Sequence, residues 1–370
     1  MKNRNSNYEA LKIISMLMII MGHIIQHGQV INTSSNLVRL FFMFIFSILI
    51  VHVNCFVLIT GYFQSQSKFK LKKIFLLNFK AWFYRILILI LFLMFSGKVF
   101  SRMEIFYNIF PFPLIETEAW FFKIYFILYL ISPFLNLLIS KLSKIQFKKL
   151  LILLLFLFSI MPTITGELFF FNKNGYSIEN FILLYFIGAY LKMYPIENIQ
   201  ILKDKSIFQK RIIYFSTFVC CFILNFLVYV IGLFLSKYSL SVGTLITSRL
   251  LAYDNPLVIS GAISFFLLFG TFNLKNNLIN EIAQYTFGIY LIHDNYLIRS
   301  ILYNFLGFGS KEYHFSILIN IVCFTIIIFL LCMVIDYFVT IIVKKVLDNK
   351  YMDKVKNKFY NWYGGLRWIE

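Results

Sequence analysis

Lys12 and His23 stand eleven residues apart with no charge between them, in the run KIISMLMIIMGHI. An amine and an imidazole are costly in so apolar a stretch, and ionisable groups at membrane depth mark sites that bind ligands or move protons. At 100° per residue, eleven steps return to within about 20° of the starting face, and the two side chains are about 16 Å apart along the axis. Ser15, Ile19 and Gln26 fall near the same stripe, and His27 follows His23 by one turn. One helix face thus carries a cation near one end and an imidazole toward the other. A plainer account is open at this point, with Lys12 reaching lipid head groups and His23 bonded to a neighbouring helix.

Two further segments concentrate polar chemistry. In YTFGIYLIHDNYLIR, Thr286, Tyr290 and His293 lie within about 60° of one another at helical spacing, with Tyr296 about 60° further round. Asp294 is about 100° round the helix from His293, so it need not be the partner of that ring. Arg299, Asp294 and His293 make a charge cluster or line a cavity; a polar network between helices is the alternative. In the basic loop FKLKKIF and the span after it, Lys72, Lys73 and Lys80 lie near a membrane surface and suit a phosphorylated ligand or anionic lipid equally well. Arg85 sits deeper, and Lys123 begins the next span within reach of head groups.

These groups need membrane helices to position them. Of the 370 residues, 60% are hydrophobic and 14% charged, with a mean hydropathy of +0.79, against roughly 45–50% and about 25% in soluble chains. Apolar runs near 20 residues recur throughout. They predict an all-α polytopic membrane protein with about ten transmembrane helices, near 8–26, 37–63, 74–96, 119–140, 146–165, 178–194, 211–235, 247–272, 282–306 and 314–343. With both termini cytoplasmic, inner segments hold 23 basic residues and outer ones seven, the bias of the positive-inside rule. The net charge of +19 is therefore mostly topology, and no nucleic-acid partner is implied. A membrane domain over 1–343 is followed by a basic tail, 344–370, whose Trp362, Tyr363 and Trp368 suit the anionic inner leaflet.

Cys55, Cys220, Cys221, Cys323 and Cys332 lack metal or redox spacing and read as small buried hydrophobes. Lys2 and Arg4 precede an apolar stretch with no small-residue cleavage site, so the segment reads as a retained first helix. No Gly-rich phosphate loop, HExxH or nucleophile elbow is present, and no metal site is expected. The residues alone suit a membrane transferase or a transporter. A transporter would carry an internal repeat and broken-helix signals, and neither is evident in the sequence.

Several segments resemble the acyltransferase-3 family of integral membrane acyltransferases. NSNYEALKIISMLMIIMGHI is similar to the family's opening, where a basic residue, ten residues and a histidine form the signature of the first helix. NCFVLITGYF, WFFKIYFILYLISPFLN, YFIGAYL and FGIYLIHDNYLIR resemble its later helices in the expected order. Two departures stand out: Lys12 replaces the usual arginine, losing the planar fork, and Thr60 precedes Gly61 where serine is usual. An acidic pair common near Tyr125 and Phe126 is missing, although Glu116 and Glu118 lie upstream, and no glutamate role is carried over.

The resemblance, closest to the branch that decorates bacterial capsular and surface polysaccharides, implies transfer of an acyl group from cytoplasmic acyl-CoA to a sugar hydroxyl. Acetyl-CoA is then a donor substrate and no cofactor is permanently bound. His23 would be the catalytic base, or carry a transient acyl group. Lys12, Lys72, Lys73 and Arg85 would hold CoA phosphates or polarise the thioester, and Tyr290 and His293 would position the acceptor or the base. A pantetheine arm running along the Lys12–His23 stripe would bring the thioester across most of the bilayer. The expected location is the plasma or inner membrane, with a polysaccharide or lipid-linked glycan as acceptor.

Overall fold

The computed structural model describes residues 4–110, 119–166, 173–196, 200–305 and 313–347, and among these it contains helices and no strands. The principal ones, in chain order, are α1 (Ser6–His27), α2 (Asn36–Leu49), α3 (His52–Gln64), α4 (Leu71–Phe95), the short α5 (Arg102–Ile109), α6 (Trp120–Lys141), α7 (Lys144–Leu155), α8 (Ile178–Met193), α9 (Ile207–Leu235), α10 (Leu240–Ser248), α11 (Pro256–Gly270), α12 (Thr286–His293), α13 (Tyr296–Phe305) and α14 (Ile317–Leu347). Among the described residues, eight helical segments are long and apolar enough to cross a membrane. This is an all-helical multi-pass membrane protein.

The two remaining expected spans differ from continuous twenty-residue crossings. α8 has 16 residues, ten of them buried. The segment expected at 282–306 is interrupted at Asp294–Asn295, where α12 ends and α13 begins. Interruptions also separate α2 from α3 at Ile50–Val51 and α10 from α11 at residues 249–255. The sequence reading that broken helices are absent is thus corrected. α14 runs four residues past the expected boundary at 343, and the tail beyond Leu347, like Glu116 and Glu118, lies outside the described residues. Cys220 and Cys323 are exposed on the outer surface of the bundle, unlike the buried Cys55, Cys221 and Cys332.

The motif residues that looked like signatures are mostly packing and hydrogen-bonding devices. Gly61 on α3 and Gly188 on α8 face each other's helix: a Cβ on Gly61 would overlap the Tyr185 carbonyl, and one on Gly188 the Leu58 carbonyl and the Tyr62 amide. Such close backbone approach is the usual role of small residues between membrane helices. Pro133 cannot donate to the carbonyl of Tyr129, four residues back; the Ser132 hydroxyl donates to that carbonyl instead, at 2.7 Å. The Tyr129 hydroxyl in turn bonds the Lys70 backbone at 3.1 Å, tying α6 to the start of α4. Asn136 donates to the Gln64 carbonyl and accepts from the Tyr185 hydroxyl, so one amide joins α3, α6 and α8.

α1 is fixed at its start by the loop after α11: the Asn7 side chain donates to the Phe272 carbonyl and accepts from the Leu274 amide, and Ser6 bonds Asn276. On the opposite flank, buried Asp336 of α14 accepts from Lys80 at 2.7 Å and from the Tyr84 hydroxyl at 2.6 Å. Gly288 of α12 leaves room for that carboxylate, since a Cβ there would overlap it. Replacing Gly188 with Ala should lower stability by about 1–3 kcal/mol through backbone overlap, whereas Gly261→Ala, whose Cβ meets nothing closer than 3.4 Å, should be near neutral. Thermal melts of the detergent-solubilised variants, read by size-exclusion chromatography, would show the difference.

Candidate functional site

The face of α1 chosen by spacing lines a cavity of about 890 Å³. Glu9, Lys12, Met16, Ile19, His23 and Gln26 follow one another along its wall in steps of three and four, the stripe an α-helix must present. From Glu9 to Gln26 this wall rises about 26 Å at 1.5 Å per residue, close to the roughly 30 Å hydrocarbon thickness of a bilayer. Ser15, expected near the stripe, is fully buried and off the wall.

At the mouth nearest the N-terminus the wall is basic. Lys12 donates to Glu9 at 3.1 Å, Arg4 lies 3.9 Å from the other Glu9 oxygen, and Lys73 lines the same opening with its ammonium 5.2 Å from the centroid of the Tyr129 ring. The Lys72 side chain is outside what the structure describes. Arg85 stands elsewhere: it donates to the carbonyls of Tyr107 and Phe110, at 3.2 and 2.9 Å, and ties the end of α5 to α4. It borders a separate small pocket shared with Tyr290 and Asp294. The structure therefore brings Lys12 and Lys73 to the cavity and leaves Arg85 off its wall.

At the far end five polar side chains form a chain. His293 Nδ1 lies 2.7 Å from the Ile289 carbonyl, a pure acceptor, so that nitrogen carries the proton. Its Nε2 is then a lone pair, and His23 Nδ1, 3.2 Å away, must donate to it. The Asp294 carboxylate is 3.5 Å from the same His23 Nδ1 and 3.7 Å from Arg299. Arg299, a donor only, lies 3.1 Å from His27 Nε2, which accepts. The consequence falls on His23: with Nδ1 committed as donor, its Nε2 is the unprotonated nitrogen, on a residue of the cavity wall. Such a nitrogen can take a proton from a hydroxyl, and the resulting imidazolium would meet a carboxylate already at its Nδ1.

Local sequence explains the placement. Asp294 follows the last residue of α12 and is no longer on its helical wheel, while Asn295 accepts from the Leu297 amide at 3.0 Å and so starts α13. The break turns Asp294 toward His23, a pairing that the arithmetic of a continuous helix did not give. His293 is buried behind His23 and off the cavity wall, whereas Tyr290 is on it. Among the described residues, His23, His27 and Asp294 could gather ligand atoms around a metal ion. Arg299 already bonds His27 and pairs with Asp294, and its fixed positive charge opposes a dication there.

Among the wall residues not singled out from sequence are His52, Trp120, Tyr176 and Tyr253. His52 carried the same signal as His23, an imidazole in an apolar run. Tyr253 sits in the break between α10 and α11, announced only by the turn-forming Asp254-Asn255-Pro256. There, Arg249 pairs with Asp254 and bonds Asn174 at 2.7 Å, and Asn255 caps α11 through the Leu257 amide. Arg249, one of the seven basic residues counted above as outer, is buried in this network.

A search of curated proteins and a search of solved structures each returned no match. A family described as an acyltransferase domain, the third of its type, matches residues 5–337. That match takes in every membrane-spanning segment of the described residues but the last turns of α14, together with the three histidines at the far end of the cavity and all of its wall except Arg4, and so the chain belongs to the acyltransferase-3 family of membrane acyltransferases.

Proposed function

We propose that the protein is a plasma-membrane O-acetyltransferase that moves acetyl from acetyl-CoA to a hydroxyl of a cell-surface polysaccharide or its lipid-linked precursor. The observation that carries this reading is the hydrogen-bond chain leaving His23 Nε2 unprotonated, at the end of the cavity away from its basic mouth. The donor's phosphates meet Lys12 and Lys73 at the cytoplasmic side, and the pantetheine arm lies along the α1 stripe with the thioester near His23. The length of that stripe supports such a path.

In the reaction, His23 Nε2 takes the acceptor's hydroxyl proton as the oxygen attacks the thioester carbonyl carbon. A C–O bond forms; collapse of the tetrahedral intermediate breaks the C–S bond, and the leaving thiolate takes the proton from His23 to depart as CoA. Asp294 stabilises the imidazolium in between, and His293 holds the ring in its productive tautomer. Tyr290 faces the acceptor side. The broken helices and the long cavity would also suit transport, so the decisive comparison is between acyl transfer and solute flux.

His23→Ala should cut transfer by about 10²–10⁴-fold with the membrane level of the protein unchanged; full O-acetylation of surface glycan in that variant would overturn the mechanism, and flux of substrate without acylation would favour a transporter. His293→Ala should lower kcat while leaving the acetyl-CoA KM in place, as a positioning role requires. Lys73→Ala should raise the acetyl-CoA KM about tenfold, the scale of one charge-assisted contact. Arg85→Gln should instead lower the melting temperature, since it removes two helix-tying hydrogen bonds. Steady-state kinetics on membranes with labelled acetyl-CoA, run beside thermal melts, separate these outcomes.

A further inference from the structure

The end of the cavity at His23 has a second wall that the base and its partners do not use. Trp120, from the first turn of α6, stacks on Tyr253, from the break before α11, with ring centroids 5.7 Å apart and planes 28° apart. Tyr176 closes the group at 4.4 Å from Trp120 and 4.9 Å from Tyr253. Three rings in contact are ordinary in a core; Phe218 and Phe265 stack as closely elsewhere. This trio differs because all three members line the open cavity, together with His23, Tyr290 and Asp294.

Two polar atoms beside the rings await a ligand. The Nδ1 atom of His52 and the hydroxyl of Tyr290 are both buried and belong to cavity-lining residues; neither makes a hydrogen bond of good geometry among the described residues, the Tyr290 oxygen having only the backbone amides of Phe121 and Phe122 nearby. A buried polar atom left without a partner forfeits the hydrogen bond it makes in water, a cost removed when a hydroxylated ligand arrives. The backbone that carries Tyr253 is also held in place: its amide donates to the Asn174 carbonyl at 2.9 Å, and its carbonyl accepts from Asn54 at 2.8 Å. His52 packs its ring edge-to-face on Tyr253 at 5.7 Å.

We propose that Trp120, Tyr176 and Tyr253, with His52 and Tyr290, form the acceptor subsite, and that its occupant is a pyranose ring. A pyranose has an apolar face of C–H groups that lies on aromatic rings and a rim of hydroxyls that needs donors and acceptors. The trio offers the first and the two unpartnered atoms the second. The donor is the less suitable occupant, because its phosphates are matched by the basic mouth at the other end. This inference rests on the acetyltransferase reading and assigns the part of the cavity that holds the sugar.

The test uses the full-length protein in lipid nanodiscs, labelled acetyl-CoA, and de-O-acetylated oligosaccharides released from the host's own surface glycan. Trp120→Ala and Tyr176→Ala should each raise the oligosaccharide KM about tenfold while the acetyl-CoA KM stays within about twofold, and Trp120→Phe should recover most of the loss. Tyr176 is 38% exposed, so its variant folds even if the Trp120 one does not. An unchanged oligosaccharide KM in folded variants, or a rise confined to acetyl-CoA, overturns the subsite while His23→Ala still abolishes transfer and the parent reading stands. If the unaltered protein acetylates no saccharide, both fall together.

Discussion

Inside a hydrocarbon layer no water satisfies a backbone amide or carbonyl, so a helix can be interrupted only where protein groups replace the lost bonds. Residues 249–255 show how much of this structure answers that constraint. The Leu250 carbonyl accepts from Asn225, the Arg249 carbonyl from Asn255, the Tyr253 carbonyl from Asn54, and the Asp254 carbonyl from Ser159 at 2.6 Å. Ser159 reaches it because α7 continues into a wider turn at Phe156–Ile160. The asparagines scattered through apolar spans are thus substitutes for missing backbone partners. Tyr253 depends on them for its place on the cavity wall.

The second interruption, at Asp294–Asn295, does for electrostatics what the first does for shape. A continuous helix would hold His293 and Asp294 on different faces. Ending α12 at His293 lets the ring and the carboxylate converge on His23 from behind, while Arg299 approaches from α13. A carboxylate in a membrane interior is tolerated when paired, and here one anion serves both a histidine and an arginine. The Lys80–Asp336–Tyr84 cluster ties α4 to α14 and packs against α12 at Gly288, below the break, so His293 sits on a fixed element.

Much of the fold was legible because membrane helices announce themselves by composition, and the α1 stripe was legible because its period is local. Lys12, Ile19, His23 and Gln26 fell on the wall as counted. Ser15 did not, since a stripe about 60° wide has an edge that spacing alone does not locate. The breaks were missed because the wheel assumes continuity, although Asp-Asn before Tyr296 and Asp-Asn-Pro before α11 are both cap signals. The aromatic trio was invisible for another reason. Trp120, Tyr176 and Tyr253 come from three distant segments, and in a chain with 46 Phe, 23 Tyr and 4 Trp no single ring stands out until the fold gathers them.

The contact between Lys12 and Glu9 changes what recognition at the basic mouth means. The lysine is already neutralised by an anion from its own helix, one turn earlier, so Lys12 itself presents no bare charge. An anionic donor gains no ion pair outright from Lys12; it exchanges a carboxylate for a phosphate, and that contact contributes only the difference between two partnerships. A rigid bidentate fork grips one partner at two points, whereas an ammonium on a flexible stem swings between partners at little geometric cost. On the proposed reading, lysine in place of the usual arginine makes the mouth an ion exchanger that lets go of spent CoA as readily as it accepts the loaded form.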